Sequence, residues 1–342
     1  MSDMSIDAAP LRPATRSFDA WKFFGRYGAL LVLALIVIVT AALEPDTFAT
    51  KDNIINILNQ SALAAIISMG LTFPLVAGEF DLSIGSMVGF SGMLIALGTT
   101  QAGWPLWLAL LAAFAFALGY GLGVGLLVVR GGIPSFIVTL AGLFLLRGAT
   151  IGFSRTFAQQ PYIGGVKNAI GNDPIQYLFA GKLIEGLDVG IVWWIGLVVV
   201  SGVILTKTRF GNWIFAVGGS PSAARACGVP VARVKIILFM AVAASGALLA
   251  TIQVLSLGSA DSFRGQGKEF EAAITAVIGG TALSGGAGSI IGTAIGALTL
   301  GIVRQGLFFI GIDYDWYQAI LGLMLLAAVL INQYTRRNVQ RD

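Results

Sequence analysis

The residues able to do chemistry in this chain are charged side chains inside or beside long apolar stretches. Glu79 and Asp81 stand in a turn between two such stretches, and Arg147 and Arg304 stand within two others. A charge there is costly in a bilayer unless it meets a partner or water. Asp81 is well placed to cap the helix that follows it, since a helix amino terminus favours an anion. A role in gating or in substrate contact is the alternative.

The two arginines lead to different expectations. Arg147 is expected near the outer end of its span, where it either extends its head group to the interface or pairs with an acid of an external segment. Arg304 lies deeper, so it needs an ion-pair partner or a water-filled cavity. Together with Ser83 and Phe136, the residues Asp81 and Arg304 are the candidates for a gate or translocation path.

The motifs of common enzymes and metal sites are absent from the sequence. There is no GxxxxGKS or GxxxxGKT loop for ATP, no nucleophile elbow, no HExxH and no CxxC. The chain has no histidine, and its one cysteine, Cys227, has no disulfide partner within the chain. We therefore predict a protein without catalytic residues, without a metal site and without a cofactor of its own.

The longest polar interruption that carries several positive charges is Phe210 to Lys235. It contains no acid, which predicts a cytoplasmic loop over residues 206–235 by the positive-inside rule. Within it, Ser220 is a helix cap, Pro221 suits the first helical position, and Gly228 suits the left-handed end. The basic side chains in and around the loop are Lys207, Arg209, Arg225, Arg233 and Lys235.

A helix this short is marginal in water, so it needs a surface to lie on. One interpretation is that it docks on a separate soluble subunit and passes force to the membrane spans. The other is an ordinary connecting loop with one helical turn.

Composition places the chain among all-α polytopic membrane proteins. Of its 342 residues, 56% are hydrophobic and only 11% are charged, and the mean hydropathy is +0.86. The net charge is +4, but the basic residues sit at the ends of apolar spans, so membrane lipid is the expected surrounding and nucleic acid is not an expected partner.

The apolar spans number about ten, which puts both termini in the cytoplasm. Residues 1–26 and 333–342 are the predicted tails, residues 27–332 the transmembrane domain, and residues 153–188 an external loop. The order of the spans suggests two halves of opposite orientation, as in inverted-repeat transporters. The residues of the two halves show no convincing sequence repeat. The eighth span is short and interrupted by glycines. Acids of the outer segments, Glu269 and Glu271 among them, are expected to be solvated or to form a docking face.

Four motifs carry a family resemblance. They are GEFDLSIGS (78–86), IPSFIVTLAGLFLLRG (133–148), GNWIFAVGGSPSAARACGVPVARVK (211–235) and AVIGGTALSGGAGSIIGTAIGA (276–297). In this order, and over about residues 50–335, the chain resembles the permease subunits of bacterial sugar ABC importers, closest to the ribose, xylose and arabinose class.

The resemblance implies a fold similar to vitamin B12-type importers, with about ten helices per subunit. It implies two permease copies, forming a homodimer, a cytoplasmic ATPase that binds the ATP and Mg²⁺, and a periplasmic sugar-binding protein. It also implies that the basic loop inserts into a cleft of the ATPase. The coupling residues carried over by position are Ser220, Ala223, Ala224, Arg225 and Gly228.

The expected function is therefore import of a monosaccharide, a pentose or a hexose, across the bacterial inner membrane by alternating access. A branched-chain amino acid permease of the same importer superfamily is one alternative, with Arg304 as partner for a zwitterion. An ion-coupled secondary transporter is the other, and only Glu79 and Asp81 come near the intramembrane carboxylate that it needs.

Overall fold

The computed structural model describes residues 20–43, 45–309, 311–313 and 316–339, and these residues are almost entirely helical. The described residues form fifteen α-helices and four very short strands. The helices are α1 (Ala20–Leu43), α2 (Pro45–Phe48), α3 (Lys51–Val76), α4 (Ile84–Thr100), α5 (Leu106–Val129), α6 (Ser135–Ala158), α7 (Val166–Ile170), α8 (Gln176–Ala180), α9 (Gly190–Lys207), α10 (Arg209–Gly219), α11 (Pro221–Ala226), α12 (Val231–Leu257), α13 (Lys268–Ile278), α14 (Ile290–Phe309) and α15 (Tyr317–Val339).

Six helices are long and apolar enough to cross a membrane: α3, α5, α6, α9, α12 and α14. Shorter apolar stretches lie in α1, α4 and α15. The predicted all-α, multi-pass class is confirmed. The predicted eighth span corresponds to α13, whose 11 residues extend only about 16 Å, half of a bilayer core. The count of ten crossings stays a prediction.

The centre of the bundle is formed by α3 and α12. Among the six long apolar helices, α3 and α12 have the largest buried share of their apolar stretch, 61% in α3 and 67% in α12. Close approach to α12 needs glycine on α5, because a Cβ on Gly121 or Gly125 would overlap the α12 backbone at Met240 or Ile236. Such small-residue faces let helices pack closely in lipid.

Two helices, α4 and α13, begin in the middle of the bundle rather than at its surface. Gly246 lies near the middle of α12 and packs against Met87 and the carbonyl of Ile84 in the first turn of α4. Gly85, also in that turn, has no room for a Cβ because Glu269 of α13 lies against it. Irregular segments, residues 77–83 and 258–267, therefore carry the chain to this depth.

The predicted external loop of residues 153–188 has more structure than expected. Residues 153–158 belong to α6, and α7, α8 and three strands follow. The strand β1 (Tyr162–Ile163) pairs in antiparallel fashion with β4 (Ala260–Asp261), and β2 (Lys182–Ile184) pairs with β3 (Leu187–Asp188). The first of these pairs ties the loop to the segment that follows α12.

The predicted tails overlap helices at both ends. Helix α1 begins at Ala20, within the predicted tail of residues 1–26, and α15 continues to Val339, within the predicted tail of residues 333–342. Residues 1–19 and 340–342 lie outside the described residues. The side of the membrane on which the termini lie stays a prediction.

Candidate coupling and translocation site

The basic loop of the sequence is a pair of helices, α10 and α11. Helix α10 begins after Thr208, whose hydroxyl oxygen accepts the backbone N–H of Gly211 at 3.1 Å. It buries Ile214 and Val217 in the hydrophobic core that α3, α9 and α12 also form. The sequence analysis missed this helix and treated its residues as loop. The whole segment is therefore anchored to the membrane bundle.

Helix α11 has the predicted start and end. Ser220 is its N-cap and accepts the N–H of Ala223 at 3.4 Å, and Pro221 occupies the first turn. Gly228 adopts the left-handed conformation, with φ of +81°, and its N–H donates to the carbonyl of Arg225 at 3.0 Å. These bonds satisfy backbone groups that a helix end leaves open. The predicted short capped helix is confirmed.

The predicted coupling residues divide into an outer and an inner group. Ala223, Arg225 and Gly228 are exposed, whereas Ala224 is buried against the bundle and Ser220 is partly buried. The outer surface of the segment is positively charged, because four basic side chains are exposed there. They are Lys207, Arg209, Arg225 and Arg233. Their contact with an ATPase stays a prediction.

Three distant segments meet at one point, which we call the glycine junction and define as Val76, Gly78, Gly218, Gly285 and Gly286. The N–H of Gly286 donates to the carbonyl of Val76, the last residue of α3, at 2.8 Å. A Cβ on Gly218, near the end of α10, would overlap that same carbonyl, and one on Gly285 would overlap Gly78. The segment of α10 and α11, which we call the coupling segment for its predicted role, is thus in direct backbone contact with the segments before α4 and before α14.

An ion pair adds a second link between the coupling segment and the segment 77–83. Lys235, in the first turns of α12, pairs with the carboxylate of Glu79. The Glu79 side chain is 10% exposed and that of Lys235 is 19% exposed. Glu79, weighed in the sequence analysis as an intramembrane acid, therefore has a basic partner at the end of the bundle where α12 begins.

Asp81 and Ser83 lie together just before α4. The Asp81 carboxylate accepts the Ser83 N–H at 2.7 Å and the Ser83 hydroxyl at 2.6 Å, and both residues are buried. Ser83 is the N-cap of α4 and makes no side-chain capping hydrogen bond, so Asp81 does not cap the helix as expected but holds Ser83 just before its first turn. Residues of α6 hold the same segment, because Phe80 donates its N–H to the Ser135 hydroxyl at 3.2 Å.

The other two path candidates lie elsewhere. Phe136 is on the exposed face of α6, with 53% of its surface accessible. Arg304 lies in α14 and pairs with Glu271 of α13, and it also donates to the hydroxyl of Tyr317 at 3.1 Å. The structure thus brings together Asp81 and Ser83 but does not bring all four predicted residues into one site.

The first turn of α13 is the centre of a buried charged cluster, formed by Lys268, Glu269, Glu271, Arg147 and Arg304. Arg147 donates to Glu269 at 3.4 Å, and the Lys268 ammonium group lies 2.6 Å from Glu271. Glu269 is 2% exposed and Glu271 is 6% exposed. Anions in the first turn of a helix are favoured by its dipole, and here each also has a basic partner.

This cluster corrects two expectations. Glu269 and Glu271 are not solvated external acids, because residues 258–267 bring them back to the middle of the bundle. Arg147 is not near the outer end of its helix, because α6 continues to Ala158 and places Arg147 at its midpoint. The sequence analysis considered that Arg147 pairs with an acid of an external segment. Arg147 does pair with such an acid, Glu269, but the pair lies inside the bundle.

Comparisons with known proteins fit this architecture. The family model for the branched-chain amino acid transport system, permease component, matches residues 53–329. The chain belongs to this permease family. It is also similar to the ribose import permease protein of Escherichia coli K12, with 33% identity over 89% of this chain and 92% of that protein.

Other relatives have similar coverage. The ribose import permease protein of Bacillus subtilis is 32% identical over 90% of this chain and 92% of its own length. The xylose transport system permease protein of Haemophilus influenzae is 27% identical over 92% of this chain and 97% of its own length. No solved structure is significantly similar to the chain. The predicted resemblance to ribose and xylose permeases is confirmed, and the vitamin B12-type fold stays a prediction.

Proposed function

We propose that this chain is the membrane-spanning subunit of an ATP-driven importer for a monosaccharide, a pentose or a hexose, in the bacterial inner membrane. The observation that carries this proposal is the similarity to ribose import permeases over about nine-tenths of both chains, 89% and 92%. A separate cytoplasmic ATPase binds ATP and Mg²⁺, and a periplasmic sugar-binding protein delivers the substrate. Two copies of this chain, each with ten crossings and cytoplasmic termini, enclose the path in a vitamin B12-type arrangement.

The glycine junction supports a route by which the ATPase drives the spans. Closure of the ATPase moves α10 and α11, whose outer surface is exposed and basic. Because Gly218 packs against Val76 and Gly286 without space for one more carbon, α10 cannot move without displacing them. Val76 leads into the segment before α4, and Gly286 lies in the segment before α14. The movement therefore reaches both irregular segments, which changes the side on which the path is open.

Substrate chemistry agrees with the electrostatics of the bundle. The two arginines within the bundle are paired, Arg147 with Glu269 and Arg304 with Glu271. A neutral sugar needs hydrogen-bonding groups but no counter-charge in the path. Transport specificity resides mainly in the external binding protein, so the permease holds the sugar only weakly.

The test is uptake of radiolabelled solutes into proteoliposomes that contain this chain and its ATPase, with and without the binding protein. Labelled ribose, xylose and leucine are compared, since the matching family model is described for branched-chain amino acids. We expect ATP-dependent uptake of one of the sugars that requires the binding protein. Uptake of leucine alone would favour the amino acid permease, and uptake driven by a proton or sodium gradient without ATPase would contradict an importer.

The coupling role is tested with the double variant Arg225→Glu and Gly228→Pro. Charge reversal removes the positive charge of α11, and proline at Gly228 cannot adopt the positive φ of +81° found there. We expect loss of sugar uptake and of ATPase stimulation, while the variant still purifies as a folded membrane protein. Normal ATP-driven uptake by this variant would contradict the assignment of α11 as the coupling helix.

A further inference from the structure

A partly polar surface lies at the middle of the bundle, where α6 meets the start of α13. It consists of Arg147, Gln266 and Phe270, and we call it the mid-depth surface. The Arg147 side chain is 25% exposed, Phe270 is 52% exposed, and Gln266 is exposed as well. Glu269 is buried between the last two in the sequence and accepts a hydrogen bond from Arg147.

The backbone fixes the direction of this short stretch. The N–H of Gln266 donates to the carbonyl of Phe263, and the N–H of Phe270 donates to the carbonyl of Gly267, both at 3.1 Å. These consecutive turns place Glu269 inward and leave Gln266 and Phe270 on the outside of the subunit.

Two independent contacts set the depth of the surface. Arg147 is at the midpoint of α6, a helix long enough to cross the membrane. Gly265, the neighbour of Gln266, packs against the backbone of Gly85 at the start of α4, which itself lies beside the middle of α12. The surface is therefore about halfway through the bundle.

Hydrocarbon is a poor neighbour for this surface. An exposed amide and a partly exposed guanidinium at mid-depth each lose their hydrogen bonds to water when they face lipid, which is strongly unfavourable. A surface suited to lipid is found along α9, where the exposed side chains Val192, Ile195 and Val199 are all apolar. The mid-depth surface is therefore not an ordinary lipid-facing surface, and it faces either water and a polar solute or a second copy of the chain.

The chemistry of the three side chains indicates which solute. The Arg147 charge is balanced by Glu269, so the surface offers several N–H donors and one amide oxygen but no net charge. Phe270 adds an apolar ring. Binding sites combine apolar and aromatic surface with a few polar groups that fix orientation, and a sugar offers hydroxyl groups beside C–H faces. We infer that the mid-depth surface lines the translocation path and that the crossing monosaccharide contacts Arg147, Gln266 and Phe270. This inference rests on the proposed function.

The experiment measures water access to this surface in the assembled importer. In a Cys227→Ser background, which removes the only cysteine, single variants Gln266→Cys and Phe270→Cys are reacted with a small charged methanethiosulfonate reagent in proteoliposomes. Ile195→Cys and Val199→Cys, with exposures of 57% and 59% in the wild type, are the matched lipid controls. A thiol reacts as the thiolate, which forms in water and not in hydrocarbon, so we expect rates at least about tenfold above the controls.

Substrate effects complete the test. Modification of Gln266→Cys is expected to block sugar uptake and to slow when the sugar-loaded binding protein and ATP are present. Rates as low as those of Ile195→Cys would overturn the inference, because the surface would then face lipid or a dry interface between two copies.

Transport kinetics give a second readout. Phe270→Ala and Gln266→Leu are expected to lower severalfold the maximal rate of ATP-driven sugar uptake at saturating loaded binding protein, whereas Ile195→Ala leaves it unchanged. Reactive Gln266→Cys in a protein that does not carry sugar would contradict the proposed function alone. Normal sugar uptake with unreactive cysteines at both positions would contradict this inference alone.

Discussion

The glycine junction and the charged cluster at α13 both join distant parts of the chain, but they do so by opposite means. At the junction, backbone touches backbone: Gly218 lies against the carbonyl of Val76, with no space for a side chain. In the cluster, long side chains reach across, as Arg304 does to Glu271. Close-packed backbone transmits a displacement directly, whereas long flexible side chains can keep their pairing through a small shift.

This difference separates two tasks. The junction lies beside α10 and the segment 77–83, which is the route that the proposed function assigns to movement of α10 and α11. The cluster lies at mid-depth and holds α6, α13 and α14 together by charge. Changes at the junction should therefore affect coupling more than stability, and changes in the cluster should affect stability first.

The largest expected effect is on stability, for Glu271→Ala. This change leaves Lys268 and Arg304 without the carboxylate that both contact, and breaking a buried pair costs about 3–5 kcal/mol. Because both basic side chains are 21% exposed, we expect the lower end, about 3 kcal/mol. Thermal unfolding of the purified chain in detergent should show a clearly lower Tm, and the exposed Glu185→Ala serves as control. Equal Tm values for the two variants would contradict a stabilising role of the cluster.

The next effect is on coupling, for Gly218→Ala. Its Cβ would overlap the Val76 carbonyl and approach the Gly286 N–H at 2.5 Å, so the junction must open. An overpacking cost of about 1–3 kcal/mol on the coupled state corresponds to ATP-driven uptake that is slower by about 5- to 160-fold. Gly219→Ala is a matched control, since no described atom lies within 4 Å of a Cβ built there. The two variants should bind the ATPase equally, and equal uptake rates would remove the junction from the coupling route.

The two regions also differ in how well the sequence predicts them. Helix α11 was predicted because its signals are local: Ser220, Pro221 and Gly228 specify its start and end within nine residues of each other. Helix α10 was missed because the positive charges and the absence of acids across residues 206–235 were taken to indicate a loop. Thr208 as a cap and the three-residue spacing of Ile214 and Val217 were the available signal.

The charged cluster depends on contacts that no local pattern contains. Arg147 and Glu269 are 122 residues apart, and Arg304 and Glu271 are 33 apart. Their pairing requires the chain after α12 to re-enter the bundle. The glycines and charges of residues 258–267 are equally typical of an external loop, which is how the sequence analysis assigned them. The all-α, multi-pass class follows from composition. The depth at which a residue of an interrupted span lies in the bundle follows only from the packing of the helices.

A smaller effect is expected at the ion pair of Lys235 with Glu79, which is a side-chain contact directly beside the glycine junction. Lys235→Ala leaves a largely buried carboxylate unpaired, at a cost of about 1–3 kcal/mol. Lys182→Ala, at an exposed lysine of β2 away from the basic loop, is the control. ATP-driven uptake should fall severalfold for Lys235→Ala only. The double variant Glu79→Lys with Lys235→Glu restores opposite charges and should recover part of the uptake rate. If it is no better than the worse of its two single variants, the ion pair is not the cause of the lost uptake.

The smallest effect is expected within the coupling helix itself. Ser220→Ala removes the N-cap of α11, and losing such a cap costs about 0.5–2 kcal/mol of helix stability. Because the hydrogen bond to the Ala223 N–H is long, at 3.4 Å, we expect no more than about 1 kcal/mol here. Hydrogen exchange should therefore be up to about fivefold faster at Ala223 and its helical neighbours. Ser220→Asn keeps a capping oxygen and should restore protection. Uptake should fall less than with Gly218→Ala, because α10 keeps its buried face and the glycine junction stays closed. A larger loss of uptake for Ser220→Ala than for Gly218→Ala would place the main resistance to movement in α11 and not at the junction.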